Sequence, residues 1–261
     1  MSKFFQIRSY FKHWLDSVDE HSIHSPFFFD FYNKVIKNDN PDKPEFTAIE
    51  EIRQKLLVNL TEVTIHDLGA KSSHFKKENR TLSKIAETSL SPALFSRLYY
   101  RIIHYMDASQ VVELGTSMGI TSLYLAQKNN IHVTTFEGNP SMINVARTHF
   151  EYFDTKNIRL IEGNLDTELE NYLLKPAKIN FVLMDANHQY EPTIRYFNLL
   201  SRRMAEKGII ILDDIHYSEE MNRAWLELRD HRLVYGSVDL FRCGILFFDP
   251  ALNRQHYIWS V

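Results

Sequence analysis

The part of the chain that most constrains its fold is residues 111–121, Val-Val-Glu-Leu-Gly-Thr-Ser-Met-Gly-Ile-Thr. An apolar run reaches an acid, Glu113, and two glycines, Gly115 and Gly119, precede a helical pattern. This order predicts a buried strand, a tight turn and a helix N-terminus, an arrangement that holds nucleotide-like ligands beyond the carboxyl end of a strand. Glycine suits such a turn because a Cβ atom would strain it or block a ligand lying against the backbone.

The next predicted strand also indicates a nucleotide-like ligand. Residues 132–136 alternate, are rich in β-branched side chains, and end in Glu137-Gly138. Glu137 follows Gly115 by 22 residues, close to the ~20-residue spacing at which an acid on the second strand reaches a ribose hydroxyl. A carboxylate can accept hydrogen bonds from both ribose hydroxyls. The alternative is a solvated acid in a surface turn.

The spacing of the glycines distinguishes a dinucleotide-binding turn from one that binds another nucleotide-like cofactor. A dinucleotide-binding turn has the pattern Gly-x-Gly-x-x-Gly, whereas this turn reads Glu-x-Gly-x-x-x-Gly. It resembles motif I of the class I methyltransferases that use S-adenosylmethionine. The resemblance implies that cofactor and a set of binding residues at the turn and at the ends of the following strands: Glu113, Gly115, Thr116, Ser117, Gly119, Thr121, Glu137, Gly138, Gly163, Asn164 and Asp185. For Asn164, capping of the following helix is the alternative.

Strands and helices alternate after residue 108, as in a parallel sheet with crossover helices. Two late strands, Leu233–Phe241 and Cys243–Phe248, are too close for a helical crossover and predict an antiparallel hairpin. Over roughly residues 90–250 this order resembles the α/β, Rossmann-like fold of class I methyltransferases, a mostly parallel sheet with a C-terminal antiparallel hairpin. The other predicted strands are 110–114, 132–136, 158–161, 179–184 and 208–212.

The chain before residue 108 has mostly helical patterns and predicts an N-terminal helical extension. We therefore predict a helical cap and substrate region over 1–107 and an S-adenosylmethionine-binding methyltransferase domain over 108–261. Residues 38–44 have the composition of a linker, and Val63–Lys77 has no clear period, which indicates a loop or lid. The predicted helices are Phe4–Val18, Pro26–Ile36, Phe46–Leu60, Leu82–Met106 and Ser141–Tyr152.

Three carboxylates and an imidazole follow two of the predicted strands. Asp185 and His188 come after 179–184, and Asp213 and Asp214 come after 208–212. Side chains just beyond the carboxyl ends of parallel strands line one crevice. Crowded carboxylates favour a bound cation or a raised pKa, and hard oxygen ligands favour Mg²⁺ or Ca²⁺.

This half of the chain resembles the catechol-type and caffeoyl-coenzyme-A-type O-methyltransferases, in which a strand-four Asp and a later Asp-Asn pair hold a divalent ion. Asp185 matches the first ligand, but the Asn of the pair falls on Ile215, which cannot ligate. Antibiotic-sugar O-methyltransferases resemble the chain more closely here, because they carry an Asp-Asp pair. The resemblance implies Asp185, Asp213 and Asp214 as ligands of a divalent cation, and leaves a structural or water-mediated role open for Asp213.

His188 stands where the catechol-type enzymes place a lysine general base. A neutral imidazole can accept a hydroxyl proton near neutral pH. We therefore predict His188 and Asp185 as catalytic residues. The alternative is a histidine that is only a satisfied surface or core residue. The i, i+3 spacing of His21 and His24 could suit a metal, but we interpret these two histidines as capping and packing residues. The aromatic run of Phe27, Phe28, Phe29, Phe31 and Tyr32 predicts core packing rather than a substrate platform.

Composition disfavours some partners. The net charge is −3 with dispersed Lys and Arg, which argues against a nucleic-acid partner without excluding it. The single cysteine, Cys243, lies in an apolar stretch and predicts packing. Charges interrupt the aromatic start of the chain, so we expect it to be neither a signal peptide nor a membrane span. We therefore expect a cytoplasmic location and no membrane partner.

These patterns together predict an S-adenosylmethionine-dependent methyltransferase that acts on the oxygen of a hydroxylated small molecule. Two alternatives stay open. One is a tRNA-modifying O-methyltransferase on the same fold, and the other is a non-catalytic cofactor-binding protein that uses its helical half for partner contacts. A homodimer is also open, and the sequence does not identify the methyl acceptor.

Overall fold

The computed structural model describes residues 3–41, 43–66, 77–128, 130–174 and 177–261. Internal contacts divide the chain into two compact units, Asp39–Tyr172 and Met1–Asn38 with Leu173–Val261. We call these the central unit and the terminal unit. The sequence-based boundary between residues 107 and 108 rests on pattern rather than contact, and it stays a prediction.

The elements of the central unit are α3 (Pro44–Leu57), β1 (Glu62–His66), β2 (Lys77–Thr81), α4 (Leu82–Ser89), α5 (Ala93–Tyr105), β3 (Gln110–Leu114), α6 (Ile120–Leu125), β4 (His132–Glu137), α7 (Pro140–Tyr152), β5 (Ile158–Glu162) and α8 (Leu165–Leu173). Three of its strands are parallel and lie in the order β3-β4-β5. Helix α7 has Pro140 in its first turn, and the side chain of Asn139 caps it by accepting from the backbone N–H of Ser141.

The strands of the terminal unit lie in the order β10 (Gln255–Ile258), β8 (Gly236–Asp239), β9 (Gly244–Phe247), β7 (Met204–Leu212) and β6 (Ile179–Met184). Strands β6 and β7 are parallel, and β6 and the second half of β7, from Gly208 to Leu212, are nearly wholly buried, which explains their apolar runs. The first half of β7 contains the exposed Glu206 and Lys207. The predicted hairpin is confirmed, because β8 and β9 pair antiparallel and β9 also pairs antiparallel with β7. The helices of the terminal unit are α1 (Lys3–Asp16), α2 (Pro26–Phe31), α9 (Tyr190–Ser201) and α10 (Glu219–Arg229), with a 3₁₀ turn at Glu20–Ser22 and a π-helical turn at Tyr32–Ile36.

The predicted fold class, an α/β mostly parallel sheet with a C-terminal antiparallel hairpin and N-terminal helices, is confirmed. Several local predictions were wrong. The helix predicted over Leu82–Met106 is two helices, because Pro92 stands at the N-cap of the second. Part of the predicted loop or lid is β1, which pairs antiparallel with β2, and residues 67–76 lie outside the described part of the chain. Strand β10, parallel to β8, was not predicted.

The packing predictions are largely confirmed. Cys243 is buried, and so are Phe28, Phe31 and Tyr32. Phe29 is an exception, with 48% of its surface exposed. The packing interpretation is also wrong for His21 and His24, because the side chains of both histidines are exposed.

Candidate functional site

The glycine turn of the central unit has a backbone that other residues rarely adopt. Gly115 and Gly119 have φ angles of 101° and 79°, and Ser117 between them has φ of 48°. A Cβ atom on Gly119 would lie 2.8 Å from Cε1 of Phe150 and 3.2 Å from Cβ of Ala146. The predicted turn therefore forms where it was expected, and Gly119 is required both by its left-handed φ and by close packing.

Glu137 fastens this turn to the end of β4. Its Oε2 accepts from the backbone N–H of Ser117 at 2.8 Å, and its Oε1 accepts from Gly138 at 3.0 Å and Asn139 at 2.8 Å. Burial raises the pKa of this carboxyl, and the three N–H donors oppose that rise. A carboxylate offers about four acceptor positions, so a ligand hydroxyl can add to these three bonds. We call Glu113–Gly119 with Glu137 the cofactor turn.

Glu113 is a buried acid inside the cofactor turn, with 1% of its surface exposed. Its Oε2 accepts from the hydroxyl of Thr135 at 2.6 Å and also from that of Ser122. Burial raises its pKa to about 7, and the two hydroxyl donors oppose the rise. Its Oε1 lies buried with no hydrogen-bond partner among the described residues. Glu113 therefore joins β3, β4 and α6 and shapes the turn from within.

The other predicted cofactor residues, apart from Asp185 in the terminal unit, lie in the same unit. Thr116 is buried and shares a 2.6 Å hydroxyl contact with Thr135, whereas Thr121 is half-buried in the first turn of α6. Gly163 follows β5 with φ of 133°, and its N–H donates to the carbonyl of Glu137. The side chain of Asn164 accepts from the N–H of Asp166 at 2.9 Å, which is the capping contact considered as its alternative role.

In the terminal unit, the structure brings together the acids and the histidine predicted at the ends of β6 and β7. Nε2 of His188 lies 3.5 Å from Oδ1 of Asp185, and its Nδ1 lies 4.0 Å from Oδ2 of Asp214. The His188 side chain is 31% exposed and those of Asp185 and Asp214 are 19% and 26% exposed. The imidazole is therefore accessible to a substrate and lies between two carboxylates.

Arg242, which we did not predict, supplies the cation of this region. One nitrogen, Nη2, lies 2.8 Å from Oδ2 of the wholly buried Asp213, and Nη1 lies 3.8 Å from Oδ1 of Asp214. Burial and the charge of Asp185 raise the pKa of Asp213 to about 7, and Arg242 opposes that rise. We call Asp185, His188, Asp213, Asp214 and Arg242 the acid–histidine site.

The geometry does not fit the divalent cation that the resemblance implied. Among the described residues, no group of three or more His, Cys, Asp or Glu side chains is arranged to hold a metal ion. Asp213 is directed to the guanidinium of Arg242, and Ile215, at the position of the family's Asn, is a buried apolar residue. The metal ligands Asp185, Asp213 and Asp214 stay a prediction that these contacts do not support.

A second cluster of titratable groups lies in the same unit, on the strand before Arg242. Nε2 of His13 lies 3.3 Å from Oδ1 of Asp239, and Nε2 of His216 lies 2.9 Å from its Oδ2. The Asp239 carboxyl is desolvated, but its bonds to the two histidines lower its pKa well below the usual range. Phe241 stacks on the His216 ring at 5.1 Å. This cluster holds α1 and the β8–β9 turn together.

Sequence analysis overlooked Arg242 because a lone arginine in an apolar run has no motif. One signal was available. The residues between two hairpin strands return to the edge where the neighbouring strand ends, and Asp213-Asp214 directly follows the end of β7. The backbone N–H of Ile215 donates to the carbonyl of Arg242 at 3.1 Å, which places the arginine beside both acids.

Comparison with known proteins agrees with this geometry. Residues 112–215 match the profile of a family described as a methyltransferase domain. By sequence, no curated protein matches the chain.

Solved structures resemble the whole fold. An S-adenosylhomocysteine-bound methyltransferase from Podospora anserina is 12% identical, with 89% of this chain and 99% of that one covered at a TM-score of 0.61. A caffeoyl-CoA O-methyltransferase candidate from Staphylococcus aureus is 18% identical, with 85% of this chain and 97% of that one covered at a TM-score of 0.58. An O-methyltransferase from Bacillus cereus in complex with S-adenosylhomocysteine is 12% identical, with 84% of this chain and 96% of that one covered at a TM-score of 0.57. The chain therefore has the fold of the class I, S-adenosylmethionine-dependent methyltransferases.

Proposed function

We propose that the protein is an S-adenosylmethionine-dependent methyltransferase that methylates an oxygen of a hydroxylated small molecule. The cofactor turn binds S-adenosylmethionine, with Glu137 as acceptor for a ribose hydroxyl. Support comes from the left-handed glycines of the turn and from the match of residues 112–215 to a methyltransferase domain. Two of the similar structures are named as O-methyltransferases or candidates, which supports oxygen as the methylated atom and a small acceptor.

The observation that carries the proposed chemistry is His188, accessible and held between two carboxylates. The acceptor oxygen attacks the sulfonium methyl carbon, the carbon–sulfur bond breaks, and its electron pair stays on sulfur as S-adenosylhomocysteine. The hydroxyl proton passes to His188. Asp185 orients the imidazole and stabilises the positive charge that it gains, as a carboxylate does beside a histidine base.

Arg242 makes the proposed reaction independent of a divalent ion. It partly neutralises Asp213 and Asp214, the residues that a metal would otherwise need. Because its guanidinium cannot lose its proton in proteins, the charge stays fixed throughout turnover. We therefore expect proton removal by His188 rather than by a metal-bound acceptor.

Calorimetry followed by a transfer assay tests the proposal. S-adenosylmethionine and S-adenosylhomocysteine should bind and compete, whereas a nicotinamide dinucleotide should not. Methyl-labelled cofactor is then supplied with a panel of phenols, catechols and sugar alcohols, with excess chelator or with Mg²⁺. Label transfer that persists in chelator supports the full proposal, and transfer only with Mg²⁺ assigns the acids to a metal.

Two other results favour the alternatives. Transfer to tRNA but to no small molecule would indicate a tRNA-modifying enzyme. Tight cofactor binding with no transfer to either would indicate a non-catalytic cofactor-binding protein. The absence of heat with both adenosyl ligands would contradict the cofactor assignment itself.

A further inference from the structure

Helix α1 packs against its unit mainly with polar side chains, together with Tyr10, whose ring lies 5.2 Å from that of Phe241. His13 is buried against Asp239, and Nε2 of Gln6 donates to the carbonyl of Tyr217 at 3.0 Å. Surface helices of globular proteins usually bury an apolar stripe and expose polar residues. In α1 this arrangement is reversed.

The exposed side of α1 is apolar along its whole length. Its large side chains follow each other at spacings of three, four, three and one residues, which places them on one stripe of the helix. Their exposed fractions range from 57% to 75%. A contiguous exposed set of this kind marks an interaction surface. We call it the α1 stripe: Phe4, Ile7, Phe11, Trp14 and Leu15.

Positive charge lies on both sides of the α1 stripe. At about 100° of rotation per residue, Arg8 and Lys12 lie along one side and Lys3 along the other, and all three are exposed. The single acid of the helix is Asp16, whose Oδ2 lies 3.1 Å from Nζ of Lys12. Aromatic and aliphatic side chains bordered by cations are typical of helices that lie in the interface of an anionic membrane.

We propose that α1 docks the protein onto an anionic lipid surface, with the α1 stripe inserted below the headgroups and Lys3, Arg8 and Lys12 in contact with them. The helix has 14 residues, about 21 Å of rise, so it lies along a bilayer whose core is about 30 Å thick and does not span it. Among the described residues, no helix is long and apolar enough to cross a membrane. The expectation of no membrane partner rested on that criterion, which does not concern surface docking.

The charges favour lipid over a second copy of the chain. Two α1 stripes packed together would gather the cations of both helices around one seam. The only helical acid available to offset them, Asp16, already pairs with its own Lys12. Like charges at such a seam destabilise it, whereas anionic headgroups neutralise them.

Tryptophan fluorescence of the full chain with vesicles tests the proposal. The chain has three tryptophans, of which Trp225 and Trp259 are wholly buried and Trp14 is 61% exposed. Vesicles of phosphatidylcholine containing phosphatidylserine should therefore shift the emission to the blue, and brominated lipid should quench it. Neutralising Lys3 and Arg8 with glutamine should weaken binding about five-fold each, about 25-fold together, and added salt should weaken it as well.

A pair of matched variants separates docking from general hydrophobicity. Ile7→Ser with Phe11→Ser should abolish the shift, whereas Val58→Ser with Leu60→Ser, at positions 75% and 78% exposed in the central unit, should leave it intact. Unchanged melting temperatures and cofactor affinity would show that both variants fold. No shift with anionic vesicles, or equal binding to pure phosphatidylcholine, overturns the proposal. Sedimentation at twice the monomer mass without lipid, lost in the Ile7 and Phe11 variant, would instead assign the stripe to a homodimer.

Discussion

The cofactor turn and the acid–histidine site each contain a buried carboxyl, but they hold it in different ways. Glu113 is surrounded by neutral donors, the hydroxyls of Ser122 and Thr135. Asp213 faces the permanent cation Arg242 and the negative charges of two further acids. Both carboxyls have a pKa raised to about 7. Burial is the main cause of the raised pKa in both, but hydroxyl donors oppose it at Glu113, whereas at Asp213 the charges of Asp185 and Asp214 add to it and that of Arg242 opposes it.

The difference matches the tasks that we propose for the two regions. A site that positions a cofactor needs a fixed shape, which neutral hydrogen bonds supply without depending on salt or on distant charges. A site that moves a proton needs groups whose charge can change, and His188 between two carboxylates provides this. Mutations should therefore affect binding in the first region and turnover in the second.

The largest effect is expected at His188. His188→Ala should lower kcat by ~10²–10⁴-fold, the contribution of a positioned base, with cofactor affinity nearly unchanged because the cofactor turn is intact. Single-turnover kinetics with the acceptor found above measure this, and added imidazole should restore part of the rate. His21→Ala, at an exposed position, is the matched control. Near-normal turnover in His188→Ala would make the histidine a packing residue.

Arg242 tests the role of charge at the second region. Arg242→Met leaves Asp213 buried without its cation and should destabilise the fold by about 3 kcal/mol, the lower end for a broken buried pair because Arg242 is partly exposed. Chemical denaturation at about pH 8, above the folded pKa of Asp213, where its carboxyl is ionised in the wild type, measures this. Adding Asp213→Asn to the variant should recover much of the loss, since no buried charge then remains. Equal stability of the Arg242→Met single variant and the wild type would show that Asp213 does not depend on the guanidinium.

Glu137 is the corresponding test of the cofactor turn. Glu137→Ala removes the carboxylate that accepts from three backbone N–H groups, together with the proposed ribose contact. It should weaken the binding of S-adenosylmethionine by ~1.5–3 kcal/mol, about 10- to 150-fold in Kd. The affinity of Glu137→Gln for the cofactor should lie between those of the wild type and Glu137→Ala, because the amide carbonyl still accepts hydrogen bonds. Glu151→Ala, exposed on α7, is the control for removing an acid nearby. If calorimetry finds wild-type affinity in Glu137→Ala, the ribose assignment is wrong.

Prediction from the sequence succeeded where burial is local and continuous. The apolar runs of β3 and β6 were found with their observed bounds, and both cofactor-turn glycines have the left-handed φ angles that the motif suggested. Strand β1 was missed although it alternates, because its five residues, Glu62–His66, run into a stretch with no period. Its apolar Val63 and Ile65 pack against the core of the central unit, whereas β2 is polar throughout and had no pattern to detect.

Long-range partners were the other part beyond reach. Arg242 meets Asp213 across 29 residues of chain, and His13 meets Asp239 across 226. Neither pairing has a local pattern, since each depends on how the hairpin and α1 fold back. The sequence correctly brought acids and a histidine to the ends of β6 and β7, but it could not show that an arginine would neutralise them and so weaken the case for a metal.

The smallest effect expected is a change in how stability depends on pH. The folded pKa of Glu113, about 7, lies above its ordinary value of 4.5, so the folded state holds a proton that the unfolded chain has lost between these pH values. Stability from this group is fully present below about pH 4.5 and is lost as pH rises toward the folded value. Asp213 acts in the same direction, from 3.8 to about 7.

Glu113→Gln should therefore flatten the decline in unfolding free energy between about pH 4.5 and 7, and Asp213→Asn should flatten it separately. Denaturation at several pH values measures both slopes. Salt provides the comparison between the two regions. Because Asp213 interacts with Arg242 and Asp185 as charges, its share of the slope should change with ionic strength, whereas that of Glu113, whose hydrogen-bond partners are neutral hydroxyls, should change less. If Glu113→Gln keeps the wild-type slope, the acid is ionised in the folded state and its hydroxyl partners, not its burial, decide its charge.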